Sequence, residues 1–218
     1  MKVESEYELM QTNRYSITEE IFNSVTHGIG ALLSMAGLAI LAAAALNRGS
    51  SRALASYSIY GLTLIALYFF STLYHGIVPE KAKQKLRIMD HASIYLLIAG
   101  SYTPITLLYL KGVWGWSLFG IVWGLAIFGI ILKMIDIEKT KIASMALYFL
   151  MGWMVVLAMK PMLKSVPAGL LVMLLVGGLF YTLGIIFFAV KKIPHNHGIW
   201  HLFVLAGSIS HFLGFLLF

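Results

Sequence analysis

Seven long apolar runs dominate the chain, and each is separated from the next by a short polar or charged segment. Each run is close to the roughly 20 residues that an α-helix needs to cross a bilayer. Backbone polar groups inside a membrane must be satisfied within the structure that spans it, which favours helices. The pattern therefore predicts an all-α fold, a bundle of seven transmembrane helices at about residues 17–46, 54–78, 86–110, 113–133, 142–160, 168–190 and 197–218.

Local signals predict the start of one helix, a kink in another and the end of a third. Ser16 and Glu19 have the spacing of a capping box, so the first helix is expected to begin near Ile17. Pro104 lacks the N–H that would bond to the preceding turn, and it should kink the third helix. Pro161 should end the fifth helix for the same reason.

The composition agrees with a membrane protein. Of the 218 residues, 60% are hydrophobic and only 11% are charged, whereas soluble domains are about 25% charged. One bundle fits this length better than two domains, so residues 1–16 are expected to form a polar tail and residues 17–218 a single transmembrane domain. The acidic, polar start of the chain lacks the pattern of a cleavable signal peptide.

The net charge of +7 predicts an orientation rather than a nucleic-acid partner. In a membrane protein, basic loop residues are expected to anchor against anionic lipid headgroups. The tail and loops on the N-terminal side carry 11 Lys and Arg residues, and those on the other side carry 5. The positive-inside rule then predicts a cytoplasmic N-terminus and an external C-terminus.

A pair of histidines suggests a metal site at the start of the seventh helix. His197 and His201 are four residues apart, so they share one helix face, as two imidazole ligands of one zinc ion would. His75, at the end of the second helix on the same side of the membrane, is the expected third ligand. The chain has no cysteine, which excludes thiolate ligands. The alternative is that these histidines are neutral and hydrogen-bonded locally.

Two further residues are candidates for catalysis. Asp90, in the opening turns of the third helix, is either a fourth ligand that closes the site or a general base that takes a proton from water. Ser71 lies one turn before His75 on the same face, where it could bond to the water or to a substrate oxygen. A helical serine can instead bond to its own backbone.

The first helix adds a polar stripe at the same side of the membrane. Glu20, Asn23 and His27 fall at i, i+3 and i+7, and they are expected to support the metal ligands by hydrogen bonds or packing. The interiors of the fourth, fifth and sixth helices contain no His, Asp or Glu, so these helices are expected to serve as apolar scaffold.

Three other histidines are expected to lie outside the metal site. His91 is adjacent to Asp90 but points about 100° away around the helix. His195 follows a proline in a loop and is expected to be solvated. His211 is ten residues past His201, about 15 Å deeper along the helix, and is expected to make an interhelical hydrogen bond.

The motif Ser71-Thr-Leu-Tyr-His75, with Asp90 and His197-Gly-Ile-Trp-His201, resembles the signature of the progestin and adipoQ receptor family. The bacterial branch of that family is called hemolysin III. Two further segments resemble family motifs in the first and third helices, Glu20-Ile-Phe-Asn23-Ser-Val-Thr-His27 and Ile98-Ala-Gly-Ser-Tyr-Thr-Pro104.

This resemblance implies seven spans, a cytoplasmic N-terminus, zinc on three histidines and a bacterial plasma-membrane location. The adiponectin receptors and the related alkaline ceramidases imply hydrolysis of amide-linked lipids such as ceramide. The long N-terminal extension of the eukaryotic receptors is missing here, so membrane lipids are the expected partners, and a protein hormone is not.

Two classes of function remain open at this point. The first is a zinc-dependent lipid amidohydrolase, in which zinc lowers the pKa of water and Asp90 moves the proton. The second is a non-catalytic sensor or regulator of membrane state, in which zinc is structural. Direct membrane lysis is disfavoured because the chain has no amphipathic pore-forming segment, and a transporter would place its polar groups near the bilayer midplane.

Overall fold

The computed structural model describes residues 15–110, 112–190 and 192–218. Within these ranges no residue lies in a strand, and seven helices are long and apolar enough to cross a membrane. They are α1 (Ile17–Asn47), α2 (Ser51–Gly76), α3 (Glu80–Tyr109), α4 (Val113–Ile135), α5 (Lys141–Ser165), α6 (Ala168–Ala189) and α7 (Asn196–Leu217). The predicted seven-helix fold is confirmed. The orientation of the termini stays a prediction, and most of the predicted polar tail lies outside the described residues.

The start of α1 follows from its capping box. The Ser16 hydroxyl accepts a hydrogen bond from the backbone N–H of Glu19 at 3.3 Å. The Glu19 carboxylate in turn accepts one from the backbone N–H of Ser16 at 2.9 Å. Two of the N–H groups left open at a helix start are thereby satisfied, so the predicted start at Ile17 is confirmed.

Helix α3 begins at Glu80, six residues before its predicted start. The extra residues are mostly Glu, Lys, Ala and Gln, which have high helix propensity but no apolar run. The apolar pattern marked the part of α3 that lies at membrane depth and missed its polar first turns. This extension brings the charged residues of α3 beside the start of α1.

Pro104 changes the geometry of α3 without ending it. The helix is α-helical to Pro104 and π-helical from Ile105 to Tyr109. The π-helical turn is a local change in helix geometry next to the backbone hydrogen bond that proline cannot donate.

The prediction that Pro161 ends α5 is wrong. The span is α-helical over Lys141–Trp153, has a 3₁₀ turn over Met154–Ala158 and resumes as an α-helix over Met159–Ser165. Pro161 lies in the first turn of the resumed helix, where its missing N–H costs no hydrogen bond.

Tyr102 of α3 holds the 3₁₀ break in α5. Its hydroxyl donates to the carbonyl of Gly152 at 2.9 Å and accepts from the N–H of Val155 at 2.9 Å. Two backbone groups released by the break are thus satisfied by one side chain, which anchors the middle of α5 to α3.

A cluster of tyrosines around Ser208 orients α7 in the bundle. The hydroxyl of Tyr68 in α2 donates to Ser208 Oγ at 2.7 Å, and the hydroxyl of Tyr181 in α6 lies 3.0 Å from the same atom. Tyr60 of α2 donates to the Ser208 carbonyl at 3.3 Å. Ser208 is seven residues past His201 and shares its face. The cluster therefore turns the histidine face of α7 toward α2.

We expect Ser208→Ala to destabilise the bundle by about 1–2 kcal/mol, because it leaves two buried tyrosine hydroxyls without their partner. Thermal unfolding of the purified protein in detergent measures this effect. Ser210→Ala is the matched control, since Ser210 Oγ bonds only to the carbonyl of Ala206 in its own helix. Equal loss in both variants would contradict the role of the cluster.

Candidate metal centre

Three buried histidines meet where the end of α2 faces the start of α7. His75 is 3% exposed, His197 is 4% exposed and His201 is fully buried. One ring nitrogen of each lies within 4.8 Å of the others, and the Nε2 atoms of His75 and His197 are 3.1 Å apart. These three residues could hold a metal ion.

Hydrogen bonds on the far side of two rings fix which nitrogen faces the centre of the group. His75 Nδ1 lies 2.6 Å from the Glu20 carboxylate, so its other ring nitrogen, Nε2, faces the neighbouring histidines. His201 Nδ1 lies 3.3 Å from the carbonyl of Asn23 and 3.4 Å from Thr26 Oγ1. His201 Nε2 has no hydrogen-bond partner among the described residues.

One separation within this group is close to that of a tetrahedral metal site. At Zn–N distances of about 2.0–2.1 Å, the ligand nitrogens of a tetrahedral site are separated by about 3.3 Å. The Nε2 atoms of His75 and His197, 3.1 Å apart, are close to that separation, and a proton shared between them is the metal-free alternative. His201 Nε2 is also buried without a hydrogen-bond partner among the described residues, as a metal-ligating nitrogen would be.

Asp90 lies beside the histidine group without belonging to it. The residue is 4% exposed, and its carboxylate is 3.1 Å from His91 Nδ1. It is also within electrostatic range of His75 and His197. His91 stays out of the metal-holding group, as expected, but the prediction that it points away from Asp90 is wrong: the two side chains of adjacent residues bend toward each other.

Ser71 does not make the backbone hydrogen bond that was its alternative role. Its Oγ is fully buried and has no partner among the described residues. Ser34, Ser56 and Ser101, in comparable helical positions, each donate to the carbonyl four residues earlier. The hydroxyl of Ser71 therefore lies one turn from His75 without a hydrogen-bond partner among the described residues.

The polar stripe of α1 packs against the histidine group. Glu20 bonds to His75 and also to Lys83 Nζ, at 2.8 Å. Asn23 offers its backbone carbonyl to His201, while its side-chain amide has no partner among the described residues. His27 stacks on His201 with ring centroids 3.5 Å apart and planes 10° apart.

The remaining histidines lie away from the group. His195 is exposed in the loop before α7 and has a positive φ of 55°. His211 Nε2 is 3.2 Å from the carbonyl of Leu174 in α6, so the predicted interhelical hydrogen bond is confirmed.

Tyr15 covers the histidine group, a role that the sequence did not indicate. Its ring centroid is 4.8 Å from that of His197 and 5.8 Å from that of His75. Burial raises the pKa of its phenol, which therefore stays protonated. Tyr15 precedes the capping box of α1 and belongs to no apolar run, so no pattern in the sequence distinguished it.

A cavity of about 860 Å³ extends from the histidine group into the bundle. It lies between α3, α5, α6 and α7, and Asp90 and His197 line its wall near the group. Apolar residues line most of the rest, including Leu97, Val156 and Leu174. Volumes of about 300–1,000 Å³ are typical of small-molecule sites. The cavity can accept an apolar chain with one end at Asp90.

A family model and the most similar bacterial proteins point to the same family. A family described as haemolysin-III related matches residues 15–212. Hemolysin-3 of Bacillus cereus is 45% identical over 196 residues, covering 90% of each chain. The hemolysin-3 homolog of Bacillus subtilis is 44% identical over 198 residues, covering 91% of this chain and 93% of that protein.

Mammalian proteins are also similar to the chain, with lower sequence identity. The human monocyte to macrophage differentiation factor is 34% identical over 162 residues, or 71% of this chain and 66% of that protein. No solved structure matches the chain. The seven spans and the bacterial relatives identify a multi-pass protein of the plasma membrane. The resemblance found in its motifs is confirmed: the chain belongs to the haemolysin-III-related family.

Proposed function

We propose that this protein is a zinc-dependent hydrolase that cleaves the amide bond of a ceramide-like lipid. His75, His197 and His201 would hold the zinc. The observation that carries the proposal is their convergence, with ring nitrogens within 4.8 Å, beside a buried carboxylate that lines a largely apolar cavity. Imidazole ligands favour zinc over calcium or magnesium, and three of them leave one coordination position open.

Three side chains around the histidine group, those of Asp90, Ser71 and Glu20, have a part in this reaction. Zinc would lower the pKa of water and polarise the amide carbonyl. Asp90 accepts a proton from the attacking water and returns it to the amine as the C–N bond breaks, which yields a fatty acid and a free amine. Ser71 donates its unused hydroxyl to the carbonyl oxygen. Glu20 keeps His75 in the tautomer that the site requires.

The cavity supports a lipid substrate. Its apolar walls would hold the acyl chain while the amide lies at Asp90. With the predicted cytoplasmic N-terminus, the histidine group lies at the depth of the inner leaflet, so substrate would enter from that side.

Removal of the metal tests this proposal. We expect the purified protein in detergent to release fatty acid from a ceramide that carries a fluorescent acyl chain. A zinc chelator should lower the rate by more than about 100-fold, because water and carbonyl are no longer activated. Added zinc should restore the rate, and added magnesium should not. Equal rates before and after chelation, or no turnover of ceramide by the zinc-loaded protein, would contradict the proposal.

One observation favours a second function, a regulator of membrane state with a structural zinc. Tyr15 packs against the rings of His197 and His75, as expected of a side chain that covers a closed site. In that case zinc would join α2 to α7 and stabilise the bundle. The ceramide assay distinguishes the two functions, since a regulator would hold zinc and turn over no lipid.

A further inference from the structure

Lys133 stands out among the charged residues because it is buried in the protein without a partner in the described part of the chain. It lies in the last turn of α4 and is 2% exposed, whereas every other lysine among the described residues is half-buried or exposed. Its ammonium makes no hydrogen bond and no ion pair within those residues. The ammonium is not fully enclosed by protein but reaches the cavity, and a charge in a membrane-spanning helix usually has a ligand or an ionic partner.

A lysine near the end of a membrane helix often extends into the headgroup layer on the outside of the protein. Lys133 does not. Its side chain lines the cavity, as do Tyr148 and Phe149 of α5. It lies two residues before the end of α4, about 3 Å from that end by helix rise.

The acids near Lys133 are already engaged. Glu138 pairs with Arg87, and Asp136 pairs with Lys139. Lys141, which begins α5 and also lines the cavity, is a further cation within electrostatic range of Lys133. The positive end of the α5 dipole adds to the same field. The part of the cavity wall around Lys133 therefore has a local excess of positive charge.

We propose that Lys133, with Lys141, binds the phosphate of an anionic phospholipid whose acyl chain occupies the cavity. The phosphate supplies the counter-ion that Lys133 lacks, and its oxygens can accept bonds from both ammonium groups. The apolar walls between α3, α5 and α6 supply the contact for the chain. The proposal does not require that the histidine group turn over a lipid, because neither lysine contacts the histidines, but a bound phospholipid and a ceramide-like substrate would compete for the same cavity.

Lipid retention in native mass spectrometry tests the proposal. The wild-type protein in nonionic detergent is titrated with dioleoylphosphatidylglycerol, dioleoylphosphatidylcholine or oleate. We expect one phosphatidylglycerol per chain, bound at least about 10-fold more tightly than phosphatidylcholine. Lys133→Met should remove that preference, while Lys133→Arg, which keeps the charge, should retain most of it.

The control is Lys139→Met in the neighbouring loop, since Lys139 is exposed and pairs with Asp136. It should bind phosphatidylglycerol as the wild type does. Thermal unfolding separates lost binding from lost fold: without lipid, Lys133→Met should be at least as stable as the wild type, because an unpaired buried charge is gone. The proposal fails if Lys133→Met keeps the preference, or if oleate alone binds in a Lys133-dependent way.

Discussion

Replacing His75 or His201 by alanine is expected to remove zinc from the purified protein. The wild type should contain about one zinc per chain, and each variant should lose more than about 100-fold in affinity. The reason is geometric: the remaining pair of nitrogens cannot enclose a tetrahedral ion, and loss even of an outer hydrogen-bond partner costs about 10–100-fold. Elemental analysis after gentle, chelator-free purification measures the content.

Two matched variants make this result specific. His211→Ala also removes a buried histidine from α7, but His211 bonds to the carbonyl of Leu174 and lies outside the metal-holding group. It should keep its zinc. Glu20→Gln keeps the shape of the side chain that orients His75 but weakens the bond, so it should lower zinc affinity by about 10–100-fold.

The metal-binding role of the histidine group is refuted by either of two findings. If the wild-type protein holds no transition metal, the alternative interpretation, in which the histidines only make local hydrogen bonds, would be correct. Equal zinc loss in His211→Ala would mean that the metal is lost through damage to the bundle rather than to the group.

The sequence predicted the parts of the fold that depend on local chemistry. The capping box at Ser16 and Glu19 and the apolar run behind it place the start of α1 at the observed residue. The i, i+4 spacing of His197 and His201 is enough to predict that both rings share one helix face. Such features depend on residues within one or two turns, so a single sequence contains them.

What the sequence could not predict depends on how helices meet. The backbone carbonyl of Asn23 orients His201, but a carbonyl belongs to every residue and leaves no trace in the pattern. Lys133 has the sequence position of a loop anchor at the end of an apolar run, and only the packing of α4 shows that it faces inward. The break in α5 is held by Tyr102, a residue about 50 positions earlier.

The contact of Asp90 with His91 shows the same limit at shorter range. Ideal helix geometry separates adjacent residues by about 100°, which predicts that they point apart. The imidazole instead turns back to the carboxylate at 3.1 Å and to the carbonyl of Arg87 at 2.9 Å. Side-chain torsions can cancel an angular separation when a buried charge offers a hydrogen bond.

We expect Asp90→Asn to keep zinc and to lose turnover by about 10²–10⁴-fold. The amide has the shape of the carboxylate but cannot accept a proton, and positioned proton transfer contributes about that factor. The carboxylate lies outside the three-histidine group and is paired with His91, so its loss should leave the metal in place. Ceramide hydrolysis and zinc content are measured on the same preparation, with Asp136→Asn in the loop after α4 as the control that should change neither.

Zinc content and turnover together decide between the two roles of Asp90. If Asp90→Asn loses zinc together with activity, Asp90 is a fourth ligand. A site closed by four protein ligands has no position for water, so the structural, regulatory function would then replace hydrolysis. If zinc and turnover both persist, Asp90 is neither ligand nor base, and Ser71→Ala would be the next variant, since Ser71 then offers an unpaired polar group near His75. Only retention of zinc with loss of turnover supports a catalytic carboxylate beside an open metal site.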